Sequence, residues 1–204
     1  MESYGFFNGD TEYGQDEFNR YFNNLYENGI SIDDTGKMTL SAAISGSSLK
    51  VSAGFAIING FFYYNDAVKT LPITRNANYT KIDRLVLQLD YVNKTIGAVI
   101  KSGTASSGPT APALTRNNRF YELSLYAVRV PPTGAITLTD ERFNTTLCGA
   151  IRPRNLTEYK DMVTEFDKQF HAWFDKVQGT GWRNVYIQPD KPVDTVVGTI
   201  WING

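Results

Sequence analysis

Hydrophobic positions recur along this chain with two different periods, and each period marks a kind of element. Over about residues 15–28, Phe18, Phe22 and Leu25 step by 4 and 3, and Tyr21 and Tyr26 widen the stripe. That spacing predicts an amphipathic helix. Asn28-Gly29 is expected to end it, because glycine tolerates the left-handed residue that closes many helices. A helix this short is marginal alone and must dock on something. From about 37 to 147 the period changes to two. In GFAIINGFFYY, residues 54–64, Asn59-Gly60 divides two apolar runs. Both central residues of a type I′ turn need positive φ, so this predicts a β-hairpin. Leu85, Leu87, Leu89 and Tyr91 then alternate with Val86, Gln88 and Asp90, the pattern of a half-buried strand. Asn93-Lys94 can turn the chain into a return strand carrying Ile96, Ala98 and Ile100 on one face. Residues 120–130, FYELSLYAVRV, alternate again until Pro131-Pro132, and AITLT at 135–139 predicts a last short strand.

Between these strands, SGTASSGPTAP at 102–112 predicts a loop or arm that cannot fold alone. Strands at this spacing with no helices between them indicate an antiparallel sandwich or barrel-like domain rather than alternating β and α units. After the strands the helical period returns. Leu156, Tyr159, Val163, Phe166, Phe170, Trp173 and Val177 step by 3 and 4 in strict alternation, a heptad seam on a helix over about 156–178. Asn155 is the expected N-cap, with Glu158 three residues on, and Gly179 and Gly181 close the helix. The seam fits either packing on the β-domain or an oligomer core. Its large aromatic rings suit a wider bundle better than a tight dimer. In the tail, Pro189 and Pro192 separate two short strand candidates, VYIQ and TIWIN. The expected organisation is therefore a segment with an aromatic helix at 1–30, an antiparallel β-domain at 31–150, a seamed helix at 151–179 and a β-like tail at 180–204. The fold class is mainly β with flanking helices.

Composition narrows the chemistry. The 204 residues carry 20 Lys plus Arg and 21 Asp plus Glu, a net charge of −1. That balance gives no electrostatic case for phosphate contacts, and nucleic acid is not an expected partner. One histidine, His171, and one cysteine, Cys148, cannot build a Cys/His zinc site or an internal disulfide. No metal or cofactor is expected. Cys148 and His171 are the sole candidates for a thiol nucleophile and its base, but no activating motif surrounds Cys148, and a small buried thiol is the simpler reading. Asp140-Glu141-Arg142 is the densest charged cluster. Neighbouring carboxylates seldom converge on one substrate atom, so a structural ion pair is expected there. Glycine-rich phosphate loops and metalloprotease motifs are absent from the sequence. No run approaches the roughly 18 apolar residues of a membrane span, and the start lacks the marks of a signal peptide. Four Asn-x-Thr sequons, at Asn78, Asn93, Asn144 and Asn155, fit chance in a chain rich in Asn and Thr. With 12 Tyr, 12 Phe and 3 Trp, the chain is equipped for packing more than for catalysis. Trp182, Tyr186 and Trp201 in the tail are candidates for stacking on a glycan.

The order of these pieces resembles a known family. A short aromatic helix ends in ENGI. There follow AGFAIINGFFYYND, KIDRLVLQLDYVNKTI, the loop SGTASSGPTAPALTRNNRFYELSLYAVRV, the closing TDERFNTTLCGAI, and an aromatic helix around FHAWF. Over about residues 4–178 this series is similar to the N-terminal region of tail-tip proteins from phages of Gram-positive bacteria. These are structural proteins of the baseplate upper, receptor-binding or tail-fibre type, with relatives in phage-tail-like bacteriocins. The Pro-then-Gly-Trp tail, IQPDKPVDTVVGTIWING, is similar to segments of such fibres. The resemblance implies a virion structural role without catalytic residues. It implies a β-domain anchored on baseplate or tail proteins, commonly as a trimer, with a helix bundle leading to a receptor-binding part. We expect a trimer through the 156–177 seam, with the first helix and the 102–112 arm as contacts to neighbours. About 26 residues follow the helix, so a connector or short tip is expected in place of a full receptor-binding head. The alternative is a carbohydrate-binding module that contacts host cell-wall polysaccharide.

Overall fold

Asn59 and Gly60 both adopt positive φ, 50° and 81°, and the chain reverses there between β4 (Gly54–Ile58) and β5 (Phe61–Asn65). The computed structural model describes residues 14–154, 156–176, 185–193 and 198–203. The chain divides into two units, Met1–Arg154 and Asn155–Gly204.

The first unit carries α1 (Gln15–Leu25), β1 (Gly29–Ile30), β2 (Ala42–Ser45), β3 (Ser48–Val51), β4 and β5. It continues with β6 (Lys69–Pro72), β7 (Lys81–Asp90), β8 (Thr95–Lys101), β9 (Phe120–Val130) and β10 (Thr137–Asp140). Among the described residues its paired strands are all antiparallel, in three sheets ordered β1-β4-β5, β2-β3-β6 and β10-β9-β7-β8. The unit is mainly β and sandwich-like, with the helices flanking the strands in the chain. The sheets share one apolar core. Ile30, Leu49, Val51 and Ile58 meet Leu85, Leu87, Leu89, Leu123, Leu125 and Val128 there.

β9 departs from strict alternation. Leu85 pairs with Tyr126 and Val86 with Ser124, so Leu125 is an extra residue, a β-bulge. The bulge switches the phase of burial. Leu123 enters the core on one side of it and Tyr126, Val128 and Val130 on the other, with the bulged Leu125 itself buried between them. A strict period of two would have sent one of these sets to the other face.

The polar face of β7 and β9 is not open to water either, and this differs from the half-buried strand expected. Glu122 and Ser124, opposite Gln88 and Val86, are almost fully buried, and so is Asp83 on the face of Leu85 and Leu87. The 102–112 segment is tied down over its own sheet. The Gly103 N–H donates to Asp83 Oδ1 at 2.9 Å, and Arg84 Nη1 donates to the Pro112 carbonyl at 2.6 Å. A projecting arm would not carry these bonds.

α1 is shorter than expected. It stops at Leu25, and Tyr26 is already extended. Gly29 is part of β1, not a helix cap. It is needed for close approach, because a Cβ there would lie 2.4 Å from the Ala150 carbonyl carbon. The end of α1 is strapped to the end of the unit. The Arg154 N–H donates to the Leu25 carbonyl at 3.0 Å, and Arg152 pairs with Glu27 at 2.8 Å.

The second unit holds α2 (Leu156–Lys176) and two short strands, β11 (Val185–Ile187) and β12 (Ile200–Ile202). The strands fall within the VYIQ and TIWIN segments. They pair in parallel, Tyr186 opposite Trp201. The proposed N-cap Asn155 lies outside the described residues.

Candidate interaction surfaces

Three surfaces are candidates for interaction: the α2 seam, the tail pair and a cleft beside α1. On α2 the six described seam residues are exposed: Leu156 45%, Tyr159 59%, Val163 46%, Phe166 69%, Phe170 47% and Trp173 56%. Val177, the seventh, lies outside the described residues. The alternation of 3 and 4 places these six along one stripe. Met162 and Phe174 flank it and are exposed as well. Phe170 sits 5.9 Å from Trp173 and stacks on Phe174 at 6.0 Å, so the rings form a continuous aromatic ridge. His171 is off this ridge. Its Nδ1 lies 2.9 Å from the Asp167 carbonyl, and this bond, with the carboxylates of Asp167 and Asp175, raises its pKa above the usual value.

In the tail, the register sets Tyr186 beside Trp201 on one face of the pair. Ile187 and Ile202 face the other way and are exposed. Trp201 donates its Nε1–H to the Gln188 carbonyl at 2.9 Å, which fixes the indole and leaves its ring partly open. Trp182 lies outside the described residues.

The third surface went unnoticed in the sequence. A cleft of about 910 Å³ runs between α1 and the β5 strand and reaches the β7–β8 turn. Phe18 and Phe22 line it from α1, Phe62 and Tyr64 from β5, and Tyr91 and Ile96 from the far side. Asp16, Asn19, Asp90 and Lys94 bring polar groups to it. α1 is held near its middle by contact of the Asn19 carbonyl with Gly60. A Cβ on Gly60 would lie 2.1 Å from that oxygen. Among the described residues the buried Asn19 Nδ2 atom has no hydrogen-bond partner. The aromatic helix and the hairpin were both legible in the sequence. Their juxtaposition depends on strand order, for which no local signal exists.

The charged cluster holds the fold. Arg142 pairs with Asp140 at 2.6 Å, and its Nη1 donates to the carbonyls of Met38 and Thr39 at 2.6 and 2.8 Å. Glu141 pairs with Arg84 at 3.0 Å and accepts from the Ser124 hydroxyl. Cys148 is buried, and burial pushes its thiol up to about 12, so it stays protonated at neutral pH. Among the described residues no group of three or more His, Cys, Asp or Glu is placed to hold a metal ion. No helix among them is long and apolar enough to cross a membrane.

No protein-family model matches the sequence, and no curated protein does. Among solved structures, the chain is similar to the gene 22 product of the Bacillus subtilis SPP1 phage, at a TM-score of 0.34 and 14% identity, over 57% of this chain and 80% of that one.

Proposed function

We propose that this protein is a structural component of a bacteriophage tail baseplate or tail fibre, an oligomer whose β-domain anchors on neighbouring tail proteins and whose α2 sets the symmetry. The observation that carries this reading is the exposed aromatic seam of α2. A soluble monomer seldom leaves so large an apolar stripe in water, and burial between copies removes it. The occupant is other copies of α2, because an unbroken heptad repeat is complementary to itself. Three helices accommodate this seam better than two. Its core positions are bulky, and Met162 and Phe174 widen the apolar stripe beyond the core positions. The resemblance of the motif order to phage tail-tip proteins supplies the setting. In this role the protein acts by geometry, with neither cofactor nor reaction.

Gold-labelled antibody against the β-domain tests the setting. Label at the tail tip of intact particles is the expected result, and label on capsids or none on particles would remove the reading.

A second reading is favoured by the cross-strand pairing of Tyr186 and Trp201, which sets two aromatic side chains side by side. Such a pair can stack on sugar rings, so the tail is a candidate contact for host cell-wall polysaccharide. Binding of the protein to purified wall polysaccharide, lost on Trp201→Ala, is the outcome this reading requires. The two readings are compatible in a connector that also touches the host.

A further inference from the structure

The β4–β5 hairpin fixes which backbone groups of β5 are used. In a two-residue type I′ hairpin the closing pair, Ile58 and Phe61, exchanges both of its hydrogen bonds. Alternation then makes Tyr63 and Asn65 the next bonded residues, opposite Ala56 and Gly54. Phe62 and Tyr64 therefore turn their N–H and C=O groups away from β4. β4 confirms the phase from its other edge, where the Phe55 carbonyl accepts from the Ser31 N–H at 2.9 Å. β5 ends its sheet, and among the described residues nothing pairs with these groups of Phe62 and Tyr64. Both residues line the cleft.

We infer that the β5 edge is a docking site for one extended peptide segment of another protein, which adds as a strand beside β5 under α1. The inference rests on the proposed assembly role and names how the β-domain grips a neighbour. The edge offers two N–H groups and two C=O groups, repeating at roughly 7 Å, the period of two residues in a strand. An extended backbone matches that repeat along its whole length. A sugar or a small apolar ligand does not. The apolar lining suits the side chains of such a segment: Phe22 from α1, and Tyr91 and Ile96 from the β7–β8 turn. α1 and the β7–β8 turn line the cleft together with this edge, so the space beside β5 is a walled groove and not an open sheet border. This geometry disfavours edge-to-edge pairing of two copies and favours a lone segment from a different chain. The buried Asn19 Nδ2 is a further donor at the cleft wall.

The test is amide hydrogen exchange on the full-length protein, read residue by residue by NMR. The probe is an acetylated, amidated hexapeptide alternating Thr and Phe. Without peptide, Phe61 and Tyr63 are protected, while Phe62 and Tyr64 exchange fast. With millimolar peptide, Phe62 and Tyr64 slow at least tenfold. Tyr64→Pro removes one edge N–H where a strand edge tolerates proline, and it weakens peptide binding at least tenfold. If that variant does not fold, the exchange result on the unaltered chain decides. Three outcomes overturn the inference. Phe62 and Tyr64 are already protected without peptide, which means another part of this protein pairs the edge. Peptide or a wall oligosaccharide shifts the ring signals without slowing the amides. Peptide has no effect. If any of these occurs while gold label still marks the tail tip, the strand-docking inference falls and the structural role stands.

Discussion

Replacing Phe166 and Phe170 together by glutamate is expected to convert the assembled protein into monomers of 22.8 kDa. In a trimer the double change removes six buried rings, two from each helix. At about 1.5–3 kcal/mol per buried large side chain, the loss is roughly 9–18 kcal/mol per trimer. Every 1.4 kcal/mol is about tenfold in an equilibrium constant, so association weakens by many orders of magnitude. The new carboxylates add to this, because they meet like charges around the axis. Light scattering on a sizing column reads the outcome: a mass three times 22.8 kDa for the unaltered chain, and one times for the variant. The β-domain should be untouched, with its near-ultraviolet dichroism and its thermal transition unchanged, because both substitutions lie in the second unit. Unaltered protein that stays monomeric on dilution, with no effect of the double change, would end the seam hypothesis. A dimer that the double change dissociates would keep the seam and replace the trimer.

How much of this was legible in the sequence depends on the range of the forces involved. The Asn59-Gly60 turn was legible because two residues determine it, and both show the positive φ expected. The strand of Leu85, Leu87 and Leu89 was legible because side chains alternate with every residue. The helix α2 was legible because its period is local. The end of α1 was misread, since Gly29 serves a contact with Ala150, far along the chain. The bulge at Leu125 left a faint mark that strict alternation overlooks: the polar positions change from even, Glu122 and Ser124, to odd, Arg129, within FYELSLYAVRV. The burial of Glu122 was invisible for a different reason. A charged residue on a strand reads as solvent-facing until the loop that covers it is placed. The cleft and its free edge follow from the strand order β1-β4-β5, which joins residues 29 to 65 and is set by the whole fold.

Glu122 tests the covered polar face most directly, and Glu122→Ala is expected to cost about 3–5 kcal/mol of folding stability, the range for breaking one side of a buried ion pair. Glu122 is 2% exposed. Its Oε2 accepts from Lys101 Nζ at 2.8 Å and from the Thr115 N–H at 2.6 Å, and its Oε1 accepts from Gln88 Nε2 at 2.8 Å. One carboxylate thus joins β7, β8, β9 and the loop that covers them. Alanine leaves the Lys101 ammonium and the Thr115 N–H facing an apolar methyl. A domain of this size commonly has 5–15 kcal/mol in total, so thermal unfolding should begin on the order of 10 °C lower. Glu122→Gln keeps the shape and an acceptor but not the charge, and it should fall between the two. Acid supplies an independent check. Burial alone would raise the Glu122 pKa, but the donated bonds of Lys101, Thr115 and Gln88 outweigh it and hold the carboxyl below its ordinary value. The folded state therefore binds this proton less readily than the unfolded state does. The stabilisation is complete above the unfolded value of about 4.5 and is lost as pH falls through the lower folded value. The stability gap between the unaltered protein and Glu122→Ala should thus be full at pH 7 and shrink below pH 4.5. Urea unfolding at both pH values measures it. A gap that is small at pH 7, or one that does not narrow in acid, would show that this carboxylate is not the charged tie between the sheet and its covering loop.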